Sequence, residues 1–156
     1  MNMSSGFNDK KFASTNFIYR EKEIDVPELK EFYDGRKKPI WIVRGLTGIE
    51  LAEVRDAVTR NQNFERLVQK MTSNLSRDKV EAVTTAFGMG DDLPDDYVRR
   101  LKILGLGSVD PKLPHDQVVK LADTFPVTFS RLTDEIMILT GVGKLGESNA
   151  SGTIQK

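Results

Sequence analysis

The sequence predicts a mainly α fold, a compact bundle of about five or six helices behind a small N-terminal β-hairpin element. Three observations predict it. From Leu46 onward, apolar residues return at intervals of three and four, the spacing that places them on one face of a helix. The run densest in β-branched and aromatic residues, Lys38-Pro39-Ile40-Trp41-Ile42-Val43-Arg44, lies before that point. The last periodic stretch, Pro126 to Gly141, sets Phe129, Leu132, Ile136 and Leu139 at helical spacing and stops at a glycine, as a closing core helix does.

With 156 residues, 38% hydrophobic and 29% charged, the chain suits one core. Residues 1–14, rich in Ser, Asn, Asp and Lys, are expected as a flexible arm. Residues 15–144 form the single domain. Residues 145–156 are dominated by Gly, Ser, Asn and Thr and are expected as a flexible tail. No internal repeat or interdomain linker interrupts the body.

The elements follow in order. Asn16 to Asp25 mixes Phe17, Ile18, Tyr19 and Ile24 with charges in partial alternation, and pairs as a strand with Lys38–Arg44 across a turn signal at Asp34-Gly35. Between them, Val26 to Tyr33 reads either as more strand or as one helical turn starting at Pro27. Thr47-Gly48-Ile49-Glu50 has the form of a capping box, with the Thr47 hydroxyl accepting from the Glu50 N–H and the Glu50 carboxylate reaching back. The helix it opens runs to about Asn61 with Leu51, Val54 and Val58 inward; Phe64, Leu67, Val68 and Met71 continue the pattern, and Val80, Val83 and Phe87 mark a third piece before Gly88 and Gly90. These pieces read as one bent helix or as separate ones. Asp91 to Asp96 gathers carboxylates where a helix N-terminus attracts them, and Tyr97, Val98, Leu101 and Leu104 follow on an inward face closed by Gly105 and Gly107. A further helix starts near Pro114 with Val118, Leu121, Ala122 and Phe125 inward, and Pro126 restarts the chain for the last one.

Composition excludes several chemistries. There is no cysteine, hence no disulfide, thiolate zinc site or cysteine nucleophile, and the one histidine, His115, rules out a multi-histidine metal site. Twenty-three basic residues balance twenty-three acidic ones, so no net field draws in nucleic acid or an anionic membrane. The N-terminus lacks the apolar stretch of a signal peptide, and no run reaches the ~20 apolar residues of a membrane span, so a soluble, unexported protein is expected. Gly141-Val142-Gly143-Lys144 looks like the end of a phosphate-binding loop but lacks the first glycine and the final Ser or Thr. The acidic run lacks the ligand spacing, glycine and closing glutamate of a calcium loop. Arg36, Lys37, Lys38 and Arg44 with Trp41 form the best basic patch, read as a solvated hairpin face. No residues assemble a catalytic mechanism, and no cofactor or metal is expected.

The short β region, followed by Pro39-Ile40-Trp41-Ile42-Val43-Arg44-Gly45-Leu46-Thr47-Gly48-Ile49-Glu50 leading into a helix, resembles the tail assembly chaperones of long-tailed bacteriophages. The distal part of that resemblance is Leu104-Gly105-Leu106-Gly107-Ser108-Val109-Asp110-Pro111 followed by Leu132 to Gly141, and the likeness spans about Ile24 to Lys144. It implies a non-enzymatic helper of tail morphogenesis, active in the host bacterial cytoplasm and absent from the mature virion. Its partners would be the long helical tape measure protein, whose apolar surface it shields, and tail tube subunits recruited around it. Further partners to consider are a homo-oligomeric copy and a frameshift-extended form in which residues 145–156 are replaced; neither nucleic acid nor membrane is among them. Apolar, adaptable side chains would line a groove for a partner helix, and Phe64, Leu67, Met71, Phe87, Met89 and Tyr97 supply them, with core packing as the competing reading for each. The alternatives are a small helical DNA-binding or regulatory protein, for which Asp116 to Arg131 offers two helices, and a structural tail component.

Overall fold

The computed structural model describes residues 5–35, 37–72, 76, 78, 79 and 93–145. Helices dominate and a small sheet flanks them, as the periodicity predicts. In chain order the elements are α1 (Asp9–Ser14), β1 (Phe17–Ile18), β2 (Glu21–Asp25), a 3-10 helix (Pro27–Phe32), β3 (Ile40–Arg44), α2 (Gly48–Thr72), α3 (Asp95–Gly107), β4 (Ser108–Asp110), α4 (His115–Thr124), α5 (Pro126–Leu139) and β5 (Lys144–Leu145).

β2 and β3 pair antiparallel with Ile24 opposite Trp41. Both side chains are buried, whereas Glu21, Glu23 and Asp25 point outward, so the partial alternation in the sequence is one wet face and one dry. Of the two readings of Val26 to Tyr33, the helical one holds: Pro27 opens a 3-10 helix, and the Val26 N–H donates to the Pro39 carbonyl at 2.8 Å to close the loop. The sheet has a third strand, in the order β2-β3-β4, with Ser108 opposite Val43 and Asp110 opposite Ile42 across an irregularity. Gly107 is the last residue of α3, which therefore closes at the glycine pair as expected, but no loop follows. Both glycines lie within the helix, which passes directly into β4.

The capping box is formed. The Glu50 N–H donates to Thr47 Oγ1 and the Thr47 N–H to Glu50 Oε1, both at 3.0 Å. From there α2 runs for 25 residues without a break, roughly 37 Å at helical rise, joining two of the three pieces seen in the sequence. The third piece, Val80 to Phe87, and the carboxylates of Asp91 and Asp92 lie outside the described residues.

α5 is the centre of the core. Phe129, Leu132, Ile136 and Leu139 are buried along it, facing Leu101 and Leu104 of α3, Leu121 of α4, and Trp41 and Val43 of β3. Polar groups inside are satisfied: the Trp41 indole Nε1–H donates to Ser108 Oγ at 3.0 Å, and Thr133 Oγ1 accepts from Arg100 at 2.6 Å while donating to the Ser130 carbonyl at 2.9 Å. Among the described residues, no buried side-chain nitrogen or oxygen lacks a partner. Two glycines mark close approaches, since a Cβ at Gly107 would sit 2.6 Å from Ile136 Cγ2 and one at Gly45 would strike the Leu139 carbonyl group.

Residues 5–14 of the expected arm and Leu145 of the expected tail are among the described residues. Asn8 caps α1, its Oδ1 accepting from the Lys11 N–H at 2.9 Å. Leu145, counted with the tail in the sequence reading, pairs with Phe17, and Lys144 with Ile18.

Candidate partner-binding surfaces

α2 and α3 cross with a groove of about 450 Å³ along one side. Ala57, Arg60, Asn61 and Phe64 form its α2 wall, at the i, i+3, i+4, i+7 spacing of a single helix face. Leu93, Val98, Leu101 and Lys102 form the opposite wall, and His115 also lines the groove. Two side-chain bonds hold the walls in register. Asn61 Nδ2 donates to the Leu93 carbonyl at 2.9 Å, and Gln62 Nε2 to Asp95 Oδ2 at 2.6 Å. The floor is apolar, and the cationic ends of Arg60 and Lys102 sit on the rim, each near a carboxylate of its own surroundings: Asp56 at 3.2 Å and Glu53 at 3.9 Å.

The six groove residues anticipated from the sequence divide three ways. Phe64 lines the groove half-buried, and Leu67, one turn further along α2, is 49% exposed. Tyr97 belongs elsewhere. One residue before Val98, it is turned by about 100° around α3, so its ring packs toward α5, 6.1 Å from Phe129, and its hydroxyl donates to Asp123 at 2.9 Å. Burial, with the bond to Asp123 and that residue's negative charge, pushes the phenol up to about 12. The Met71 side chain, Phe87 and Met89 lie outside the described residues.

A second apolar surface escaped the sequence reading. Phe7, Phe12 and Phe17 form a ladder of tilted rings with centroids 5.6 and 5.4 Å apart, exposed by 67%, 56% and 49% respectively. Ile18 and Tyr19 extend it, both half exposed. The Arg44 guanidinium lies 5.5 Å from the Tyr19 ring centre, and Phe17, Tyr19 and Arg44 line a groove of about 750 Å³ beside the ladder. The signal was present in the sequence as three phenylalanines five residues apart, a period belonging to neither helix nor strand. A helix, a turn and a strand bring them into line.

The other candidates resolve into structure. Trp41, the aromatic of the basic patch, is 3% exposed and has no face for a base. Arg44 is held by Glu50 in a two-pronged pair at 2.8 and 2.7 Å; that hydrogen-bonded contact raises the arginine and lowers the glutamate from their ordinary values, outweighing the opposing effect of burial. Arg36 lies outside the described residues. Gly141, of the loop that looks phosphate-binding, has φ of +80° just beyond the end of α5. Among the described residues no three His, Asp or Glu side chains come close enough to share a metal ion, and no helix is long and apolar enough to cross a membrane. Comparison with family models, curated proteins and solved structures gives no match.

Proposed function

We propose that this chain is a tail assembly chaperone, a protein that works in the bacterial cytoplasm by holding the tape measure protein of a long-tailed phage and recruiting tail tube subunits, without catalysing a reaction or joining the virion. The observation that carries the proposal is the α2–α3 groove. Its apolar floor and continuous helical wall suit an amphipathic helix laid alongside α2, the mode by which helices dock in grooves. A long helical partner without its own neighbours exposes such a stripe along its length. The resemblance adds a link between motif and groove: the Pro39–Glu50 segment that carries it builds β3, the Gly45 approach and the Thr47–Glu50 cap, and so sets the direction of the groove wall.

Leu67 offers the test, because it is exposed on α2 beyond the groove and its replacement leaves the core intact. Co-expression with the tape measure protein of its own gene cluster should keep that protein soluble, and Leu67→Asp, with an unchanged circular dichroism spectrum, should return at least half of it to the pellet. Full solubility with the folded variant would refute a partner helix laid alongside α2. Salt-sensitive retention of DNA by the wild-type chain would instead favour a regulatory protein.

A further inference from the structure

We infer that a second groove, lined by α2, α3 and α5, docks an acidic amphipathic helix of a partner protein. This site shares no residue with the groove proposed for the tape measure protein and stands whether or not that reading holds. Arg55 of this groove and Arg60 of the other are about 140° apart around α2, so the two grooves use different faces of one helix.

Shape limits what fits. Leu51, Arg55, Val58 and Gln62 follow one another at i, i+4, i+7 and i+11 along α2, a single face roughly 16 Å long. Arg99 and Ile103, one turn apart on α3, form the facing wall, and Met137 of α5 joins them around a volume of about 390 Å³. Val58 and Ile103 are buried, whereas Met137 is 43% exposed, and its flexible thioether can follow the contour of a side chain laid over it. A channel walled by helices takes the apolar edge of one further helix, here about three turns of it.

Charge selects the occupant. Two arginines line the groove and no carboxylate does. Arg55 makes no ion pair among the described residues, and the carboxylate next to it in sequence, Asp56, is taken by Arg60 at 3.2 Å. Arg99 has only a share of Asp96, which lies 3.6 Å from it and 3.0 Å from Arg100. Asp95, at the Gln62 end, accepts from the Gln62 amide at 2.6 Å. Arg55 and Arg99 therefore stand on facing walls beside an apolar lining, one without a counterion and one with a shared one. Carboxylates on both flanks of an apolar stripe match that arrangement, since each flank meets a guanidinium. A basic helix would meet like charge on both sides, and nucleic acid would leave the apolar lining uncovered.

Fluorescence anisotropy with labelled synthetic peptides tests this. One peptide, about 18 residues so that it can hold a helix, carries leucines at i, i+3, i+4 and i+7 with glutamates on both flanks of that stripe; the other has lysines in place of the glutamates. The wild-type chain should bind the acidic peptide and not the basic one. Arg55→Glu with Arg99→Glu, an exchange of exposed side chains, should weaken binding of the acidic peptide by about tenfold or more and take up the basic peptide instead, which also shows that the variant is folded. The Met137 methyl resonance, identified through Met137→Leu, should shift as the acidic peptide is added. Leu67→Asp should leave that affinity unchanged, which separates this site from the tape measure groove. No binding of the acidic peptide at any soluble concentration would overturn the inference. So would equal binding of both peptides, an affinity indifferent to the arginine exchange, a loss caused by Leu67→Asp, or displacement of the peptide by single-stranded oligothymidylate.

Discussion

Ser108 shows how much a single small side chain carries in this fold. Its hydroxyl is the acceptor for the buried Trp41 indole, and it stands where α3 turns into β4. Ser108→Ala leaves an N–H buried without a partner, which costs about 1–3 kcal/mol; urea unfolding followed by Trp41 fluorescence should report a loss in that range and a shift of the emission. Residue identities in the sequence disclosed the chemistry of Trp41 but not its place. Read beside Arg36, Lys37, Lys38 and Arg44, the tryptophan looked like part of a basic surface, because alternation alone does not say which face of a strand meets the core. The sequence offers Tyr97 both as an inward residue of α3 and as a groove candidate, and the structure packs it inward. Tyr97 shares an inward stripe with Val98, and only the positions of α4 and α5 decide that Tyr97 faces them while Val98 faces α2.

At the scale of elements, local signals were legible and remote ones were not. The Thr47–Glu50 box, Pro27 and Pro126 at helix starts, and Gly141 after the last helix each act within a turn of the chain, so the residues alone disclose them. β4 is three residues long and β1 and β5 are two each; such strands owe their existence to a distant partner, and nothing in their own composition announces it. The Phe7 to Phe17 ladder failed to register for the same reason, as it spans α1 and β1. Gly45 joins the two kinds of signal. It reads locally as a break between strand and helix, yet its need for a bare backbone comes from Leu139, on the last helix. Gly45→Ala should therefore destabilise the fold by about 1–3 kcal/mol through overpacking, visible as a lower thermal midpoint, whereas Gly48→Ala, with open space around it, should leave the midpoint within a degree or two.

For the whole molecule, two ion pairs tie distant parts of the fold to its acid stability. Arg44–Glu50 links β3 to α2, and Glu28 links the 3-10 helix to Thr128 and Arg131 on α5, the latter at 2.7 Å. Both glutamates are lowered from the ordinary 4.5. For Glu50 the bond from Arg44 is the main cause. For Glu28 burial pulls upward, and the Thr128 hydroxyl, a backbone N–H and the Arg131 charge together pull further down. A lowered folded-state value means that the unfolded chain takes up the proton first. The stabilisation is therefore complete above 4.5 and is lost as the pH falls from there through the folded-state values. Thermal midpoints should be level near neutrality and decline in that acidic window, and Glu50→Gln should lower the neutral midpoint while flattening the decline.

The pairing of β1 with β5 also joins two parts of the chain that are far apart in sequence. Phe17 and Leu145 are partners across one ladder, so the described fold is nearly a closed ring, stitched at a single antiparallel seam. A pull applied at the two sides of that seam would open it one bond at a time and leave α2 to α5 intact.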